Sequence, residues 1–167
     1  AFDMPPHSQM ALLQMLLVRA LVSCFWKKPY KHDLVRWGTR LHDKFLLEHY
    51  VKDDLRSVVQ YLNDEGYEFK LDWFDPFFEF RFPLYGMTMI EGMPVEIRSA
   101  IEPWHVLGEE SSSQGTARYV DSSVERLQIK IANFNEERYI VTCNGVQVPL
   151  SKTDIEGEFV SGVRYKA

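Results

Sequence analysis

The chain has 167 residues, of which 46% are apolar and 14% aromatic, and its formal net charge is −5. This composition excludes a disordered chain and predicts one domain with a sizeable core or two smaller ones. Because no run of Lys or Arg exceeds two residues, we expect no nucleic-acid partner. Two cysteines, Cys24 and Cys143, are too few for a disulfide framework and favour a cytoplasmic location.

Helical periodicity dominates the first part of the chain. Ser8 is a suitable N-cap for a long helix that ends near Trp26. This helix is apolar nearly all round, which predicts a buried core helix, and Arg19 near its middle disfavours a membrane span. We therefore expect no membrane partner. Further helices are predicted over residues 33–50, with a break near Gly38, and from residue 53 to a left-handed C-terminal Gly66.

Phenylalanine occupies every second position from Phe78 to Phe82, in the middle of an aromatic segment. This alternation predicts a central strand whose aromatic face is buried. Glu79 and Arg81 would share its other face, roughly 7 Å apart by the strand repeat. An acid and a base held on a rigid strand suit a catalytic site, and a structural ion pair between neighbouring strands is the alternative.

The later part of the chain has a period of two residues. Hairpins are predicted at Glu91-Gly92 and at Asn144-Gly145, with further strands over residues 127–131 and 158–165. Residues 101–110 break this periodicity, and irregular segments that combine acids, His, Trp and Pro often carry function. Residues 111–115 are typical of a flexible loop.

These patterns predict an α+β fold with N-terminal helices packed on a mainly antiparallel sheet. Residues 1–110 would form a helical layer with the phenylalanine-rich central strand and the first hairpin. Residues 116–167 would form a β-rich subdomain.

Charged residues on the predicted strands and loops suit a site for an anion and a metal ion. Carboxylates can hold Mg²⁺ and leave coordination positions for phosphate, while arginines neutralise a phosphoryl group in transfer. This combination is the physical logic of a nucleotide-dependent ligase. Surface ion pairs around a turn are the alternative for residues 118–126, and His105 with Glu102 or Glu109 is a weaker metal candidate. The candidates are Glu79, Arg81, Glu102, His105, Glu109, Arg118, Asp121, Glu125 and Arg126.

Several blocks of sequence resemble the C-terminal region of large bacterial transglutaminase-like proteins, a region regarded as an amidoligase. The resemblance spans nearly the whole chain and implies that it is an excerpt of a longer cytoplasmic protein, whose remainder is then a partner. The transglutaminase-like cysteine site would belong to that remainder. The blocks are residues 2–7, 36–43, 78–83, 102–110 and 118–127.

An amidoligase joins a carboxylate to an amine with ATP through an acyl phosphate. The resemblance therefore implies ATP and Mg²⁺ as cofactors, and a small-molecule or peptide carboxylate and amine as partners. Glu79-Phe80-Arg81 is similar to the Glu-x-Arg motif of glutamine-synthetase-like ligases, whose acid binds metal and whose arginine contacts phosphate. That similarity also implies that the chain could be part of a glutamine-synthetase-like ligase fold.

Residue patterns and resemblance together predict which residues catalyse the reaction and which bind substrate, nucleotide or metal. Catalysis is assigned to Glu79, Arg81, His105 and Glu109, substrate or nucleotide binding to Glu102, Arg118, Asp121 and Arg126, and metal binding to Glu79 and Glu102. The alternative function is a non-catalytic module that binds a peptide or docks onto the enzymatic part of the parent protein.

Overall fold

A computed structural model describes residues 4–102, 106–112, 115–120 and 123–166, with the backbone alone for residues 42, 106–112, 116–120 and 166. The chain forms two compact units. The first comprises Ala1–Arg36 with His49–Arg81, and the second comprises Trp37–Glu48 with Phe82–Ala167. Along the sequence, one unit gives way to the other at residues 36–37, 48–49 and 81–82. The division into residues 1–110 and 116–167 stays a prediction. The predicted α+β class with an antiparallel sheet is confirmed.

Helices form the first unit, and a short helix belongs to the second. The long helix α1 begins at Ser8, but its N-cap is His7, whose Nδ1 accepts a hydrogen bond from the Gln9 backbone N–H at 3.2 Å. A side-chain acceptor at this position satisfies one of the backbone N–H groups that a helix start leaves without an intrahelical partner. The helices are α1 Ser8–Lys27, α2 Arg40–Asp43, α3 Glu48–Asp64, a 3₁₀ helix Leu71–Phe74 and α4 Asp75–Arg81.

Few residues of helix α1 are buried, so its predicted burial as a core helix is wrong. Only Met10, Ala20 and Cys24 are buried on it, and large apolar side chains such as Leu12 and Trp26 face solvent. By length and composition α1 is the one helix among the described residues that passes the test for a membrane span. Within its most apolar window of 18 residues, 17% of the residues are buried.

Helix α3 confirms the predicted scaffold helix but begins earlier, at Glu48 rather than near residue 53. Val59 and Leu62 on its apolar stripe are buried, and Gly66 after its end has a φ of +87°. The helix predicted over residues 33–50 is wrong in most of its length, since α2 covers only Arg40–Asp43. Leu46, between α2 and α3, has a φ of +58°, which is incompatible with a continuous helix.

The predicted phenylalanine-rich central strand is wrong, because this segment folds as the 3₁₀ helix and α4. Asp75 and Pro76 stand at the first positions of α4, where an acid meets the positive helix end and proline needs no hydrogen bond. Phe74 and Phe78, four residues apart, are buried, whereas Phe80 is 47% exposed. The buried phenylalanines therefore follow the helical period. Their alternation in sequence does not indicate a strand.

A five-stranded antiparallel sheet forms the second unit, with the strand order β1-β2-β5-β9-β8. The predicted hairpin at Glu91-Gly92 is confirmed, with φ of +49° and +81°, as is the turn at Asn144-Gly145. The strands are β1 Leu84–Ile90, β2 Met93–Ala100, β3 Val106–Ser112, β4 Gly115–Val120, β5 Val124–Ile131, β6 Thr142–Cys143, β7 Val146–Gln147, β8 Ser151–Lys152 and β9 Phe159–Lys166.

Strands β3 and β4 pair with each other as a two-stranded ribbon. They occupy much of the segment that was predicted to be irregular and then flexible, so this prediction is wrong for residues 106–112. Residues 103–105 and 113–114 lie outside the described residues.

One face of the five-stranded sheet carries an apolar core. Met93, Ile131, Phe134 and Phe159 are buried together there, and the rings of Phe134 and Phe159 meet edge to face at 5.3 Å between centroids. Such aromatic pairs add to the free energy gained from apolar burial. The opposite face of the same strands is polar and holds the candidate site.

Candidate functional site

The polar face of the sheet, as we call it, centres on strand β5. Arg126 and Gln128 on this strand are 2% and 1% exposed, although the alternation along β5 gives them the face opposite Ile129 and Ile131. Strand register places Arg164 of β9 directly opposite Arg126. Directly paired residues share one face of an antiparallel sheet, so these two arginines lie side by side on the polar face.

Arg126 is held by main-chain carbonyl groups. Its Nη1 donates to the carbonyl oxygens of Phe45 and Ile101, the latter at 3.3 Å. Burial lowers the pKa of Arg126 below its ordinary value, while the nearby carboxylates of Glu102 and Asp43 raise it again. A guanidinium stays protonated under such a shift, so the second unit contains a buried, oriented positive charge.

Arg164 and Glu102 form the ion pair next to this buried charge. Their Nε and Oε1 atoms lie 2.6 Å apart, and the side chain of Glu102 is 13% exposed against 36% for Arg164. The positive charge of Arg164 also contributes to lowering the pKa of Arg126, which shows that the two guanidinium groups are electrostatic neighbours. The two guanidinium groups thus share the carboxylate of Glu102, and Asp43 is a further acid near Arg126.

Further pairs continue along the polar face. Arg98 Nε lies 2.8 Å from Glu96 Oε1, and its Nη1 donates to the Phe82 carbonyl at 3.2 Å. Gln128 Nε2 lies 3.5 Å from Glu48 Oε2, at the limit of a hydrogen bond. The polar face is thus a row of charge-assisted contacts, which are stronger than hydrogen bonds between neutral groups.

Gly162 on β9 makes room for the buried arginine. A Cβ built at this position would lie 2.6 Å from Arg126 Nη2 and 2.7 Å from its Nε, closer than side chains approach in proteins. Glycine in a strand interior marks a place where another group approaches the backbone. The guanidinium of Arg126 is the group that approaches here.

Comparison with known proteins assigns the family. A family model described as "Putative amidoligase enzyme (DUF2126)" matches residues 1–167. The chain belongs to this family. Neither a curated protein nor a solved structure matches the chain. The amidoligase-family description therefore stands on sequence, and the glutamine-synthetase-like fold stays a prediction.

Two predicted site residues of the amidoligase-family chain lie on α4 in the first unit. Glu79 and Arg81 are exposed there, and Arg81 Cζ lies 5.2 Å from the centroid of the Phe80 ring. Residues two apart on a helix do not face each other. The prediction that these two side chains share one face of a strand is therefore wrong, and the physical reason is the helical period of the segment.

Glu102 and Arg126 are the predicted residues that the structure brings together, through their electrostatic interaction on the polar face. Glu109 and Arg118 are register partners on β3 and β4. His105 and Asp121 lie outside the described residues. Glu125 points away from the polar face, and its Oε2 accepts a hydrogen bond from the Tyr165 hydroxyl at 2.5 Å.

Sequence reasoning missed Arg164, Arg98 and Gln128 as members of the polar face. The available signal was the alternation of Gln128 and Lys130 with apolar residues, from which only a strand over residues 127–131 was predicted. Polar side chains on a strand that pairs on both edges can equally mark a second buried layer.

Proposed function

We propose that the chain forms part of an ATP-dependent carboxylate–amine ligase within a transglutaminase-like multidomain protein of the cytoplasm. The family match over the whole chain supports amide-bond formation. The observation that carries the choice of site is the Arg164–Glu102 pair beside buried Arg126. Carboxylates and phosphates are the ligands that a pair of guanidinium groups prefers.

The chemistry has two steps in this proposal. ATP supplies a phosphoryl group to the substrate carboxylate, with a P–O bond formed and the bond to the ADP oxygen broken. An amine then attacks the acyl carbon, so that a C–N bond forms, phosphate leaves and the amine loses a proton. Both steps move anions, and fixed cations stabilise them by charge already in place.

Arg164 is the residue that we assign to contact an anionic group. Its side chain is about one-third exposed, so it can exchange Glu102 for a substrate carboxylate or phosphate oxygen. Arg126 is sealed beneath it and bonded to main-chain carbonyl groups, which suits a positioning role. Glu102 would act as a placeholder for the ligand in this arrangement.

Mg²⁺ fits this proposal only together with phosphate. Among the side chains that the structure describes, no group of three or more His, Cys, Asp and Glu could hold a metal ion. Mg²⁺ commonly takes one or two protein carboxylates and fills its other positions with water and phosphate oxygens. Glu102 is the carboxylate of the polar face that we assign to it, and we derive no step through the metal.

Calorimetry of MgATP and of MgADP against the chain tests the proposed site. We expect Arg164→Gln to weaken binding by about tenfold or more, since a charge-assisted hydrogen bond is worth at least about 1.4 kcal/mol. Arg138→Gln is the matched control, because it removes the same charge from an exposed arginine of the same unit that lies over the Tyr139 ring. Equal effects of the two changes would contradict the site.

The parent protein provides a second arm of this experiment. If the parent protein alone binds nucleotide, with the same dependence on Arg164, the site is completed by the rest of that polypeptide. A parent protein that binds no nucleotide would end the ATP-dependent proposal.

Glu79 and Arg81 remain predicted functional residues, now on a helix. We propose that Glu79 binds metal and that Arg81 binds phosphate. Glu79→Gln should then abolish MgATP binding while the variant stays folded. Arg81→Lys should then impair nucleotide use more than folding, because the planar fork is lost and the charge is kept. Since both side chains are exposed, thermal unfolding of either variant should match that of the parent chain.

A non-catalytic docking module is the second candidate function. The observation that favours it is the set of large apolar side chains exposed on α1, including Leu12, Val22 and Trp26. Exposed apolar patches often mark interaction surfaces. This candidate predicts that Leu12→Ser with Val22→Ser changes association with the rest of the parent protein and leaves nucleotide binding unchanged.

A further inference from the structure

Strand β1 is an edge strand with unusual properties. It is the first strand in the order of the five-stranded sheet, and all seven of its residues, Leu84–Ile90, are exposed. None of the seven carries a charge. Edge strands normally avoid pairing with other chains through charged residues, proline, shortness or a β-bulge. Strand β1 has none of the first three, and its register irregularity lies between Leu84 and Gly86, outside Met87–Ile90.

The other edge of the same sheet is protected. Strand β8 has only two residues, and one of them is Lys152, which pairs with Glu136 at 2.7 Å. A head-to-tail contact from β1 to β8 would therefore offer two residues for pairing. Only a strand of about seven residues can pair with β1 along its whole length.

Main-chain geometry identifies the groups of β1 that point outward. Ile90 and Met93 flank the two-residue loop, so they form a hydrogen-bonded pair with each other. Such pairs alternate with non-hydrogen-bonded ones along an antiparallel ladder, so Thr88 also bonds to β2. The N–H and C=O groups of Met87 and Met89 consequently point away from the sheet.

We propose that β1 pairs antiparallel with β1 of a second copy of this chain. A twofold axis beside Thr88 places Met87 opposite Met89 of the other copy, and both of these residues have outward main-chain groups. Thr88 then faces its own counterpart in a non-hydrogen-bonded pair. The register is self-complementary: it satisfies four main-chain groups on each copy and opposes no like charges.

The residues around this axis extend existing layers of the sheet. Met87 and Met89 are register partners of Glu96 and Pro94, on the polar face, while Thr88 and Ile90 follow Val95 and Met93 on the core face. A second copy would thus continue the apolar core across the axis. Strand pairing alone covers less area than a standard interface, so we expect a dissociation constant in the micromolar range or weaker.

Sedimentation over a range of protein concentrations tests this pairing. We expect a monomer–dimer equilibrium, at least tenfold weaker for Thr88→Lys, which opposes two like charges at the axis. Met87→Pro should weaken it similarly, because it removes an outward N–H and leaves the bonds to β2 intact. Ile140→Lys, which adds the same charge to an exposed apolar residue of the same unit outside β1, is the control and should leave the equilibrium unchanged.

Cross-linking gives a test of register that does not depend on affinity. In a Cys143→Ser background, Thr88→Cys should form a disulfide-linked dimer on mild oxidation, since non-hydrogen-bonded pairs hold Cα atoms about 4.5 Å apart. Ile155→Cys, exposed elsewhere in the same unit, should not. A monomer at all concentrations, a dimer abolished by Ile140→Lys but not by Thr88→Lys, or equal cross-linking at both positions would overturn the proposal. Nucleotide binding is measured separately and is independent of it.

Discussion

Replacing Gly162 by alanine tests whether the buried arginine is fixed in place. Alanine usually stabilises a strand position relative to glycine, and no unusual backbone angle opposes it at this residue. The new methyl group would nevertheless lie 2.6 Å from Arg126 Nη2 and 3.0 Å from its Cζ. Because the guanidinium donates to the carbonyl oxygens of Phe45 and Ile101, it cannot move without losing these bonds.

The expected effect is the sum of three contributions. Loss of hydrogen bonds from a charged donor costs about 1.5–3 kcal/mol, overpacking costs about 1–3 kcal/mol, and removal of glycine returns about 0.4–1 kcal/mol. We therefore expect Gly162→Ala to lower the free energy of unfolding by about 1.5–5.6 kcal/mol. Urea denaturation followed by circular dichroism measures this change as a shift in midpoint at constant slope.

Gly86→Ala is the matched control for this experiment. Gly86 also lies in a strand of the same unit, but a Cβ built there meets no atom within 4 Å. Its replacement should change the free energy of unfolding by less than about 0.5 kcal/mol. In an Arg126→Ala background, Gly162→Ala should lose its cost, because the three atoms that it meets are absent. A Gly162→Ala variant as stable as the parent chain would refute the fixed position of Arg126.

Three further predictions concern separate parts of the chain. Glu102→Gln should destabilise the chain by about 1–3 kcal/mol in urea denaturation, since Arg164 and buried Arg126 lose their shared counter-charge, whereas Glu136→Gln at an exposed pair should cost under about 0.5 kcal/mol. Leu62→Ala should cost about 2–5 kcal/mol because Leu62 is fully buried, and Leu12→Ala on exposed α1 should cost under about 0.5 kcal/mol. The hydrogen bond to Glu91, followed by desolvation, raises the pKa of Tyr139 above its ordinary value of 10.0, so the stabilising effect of this bond is present below pH 10 and lost as pH rises through the raised pKa. Glu91→Gln should lower the pKa of Tyr139 in an ultraviolet titration, in which Tyr139→Phe identifies the signal. An unchanged pKa would exclude the bond.

Local turn chemistry was the part of the fold that the sequence specified well. Glu91-Gly92 and Asn144-Gly145 adopt positive φ, and the strands flank them as predicted. Gly66 likewise ends its helix in the left-handed region. These features depend on two or three adjacent residues, so the pattern contains all of the information that decides them.

The aromatic segment shows where such patterns fail. Five phenylalanines between Phe74 and Phe82 satisfy a period of two and a period near four at once, and the acid and proline at the start of α4 decide for the helix. The error also moved Glu79 and Arg81 from one face of a strand to different sides of a helix. A proposed pair that depends on the period of its element is only as secure as the assignment of that element.

The polar face could not have been inferred from β5 alone. Its alternation of Arg126 and Gln128 with apolar residues fits a strand with one side in water. Burial of these two side chains depends on contacts to Phe45 and Glu48, which lie 81 and 80 residues away in sequence. Because no local pattern records such a contact, the difference between a solvated arginine and a buried one arises only in the tertiary structure. The same long-range cover separates the positioning role of Arg126 from the ligand-contacting role of Arg164, although the two are direct partners across one strand pair.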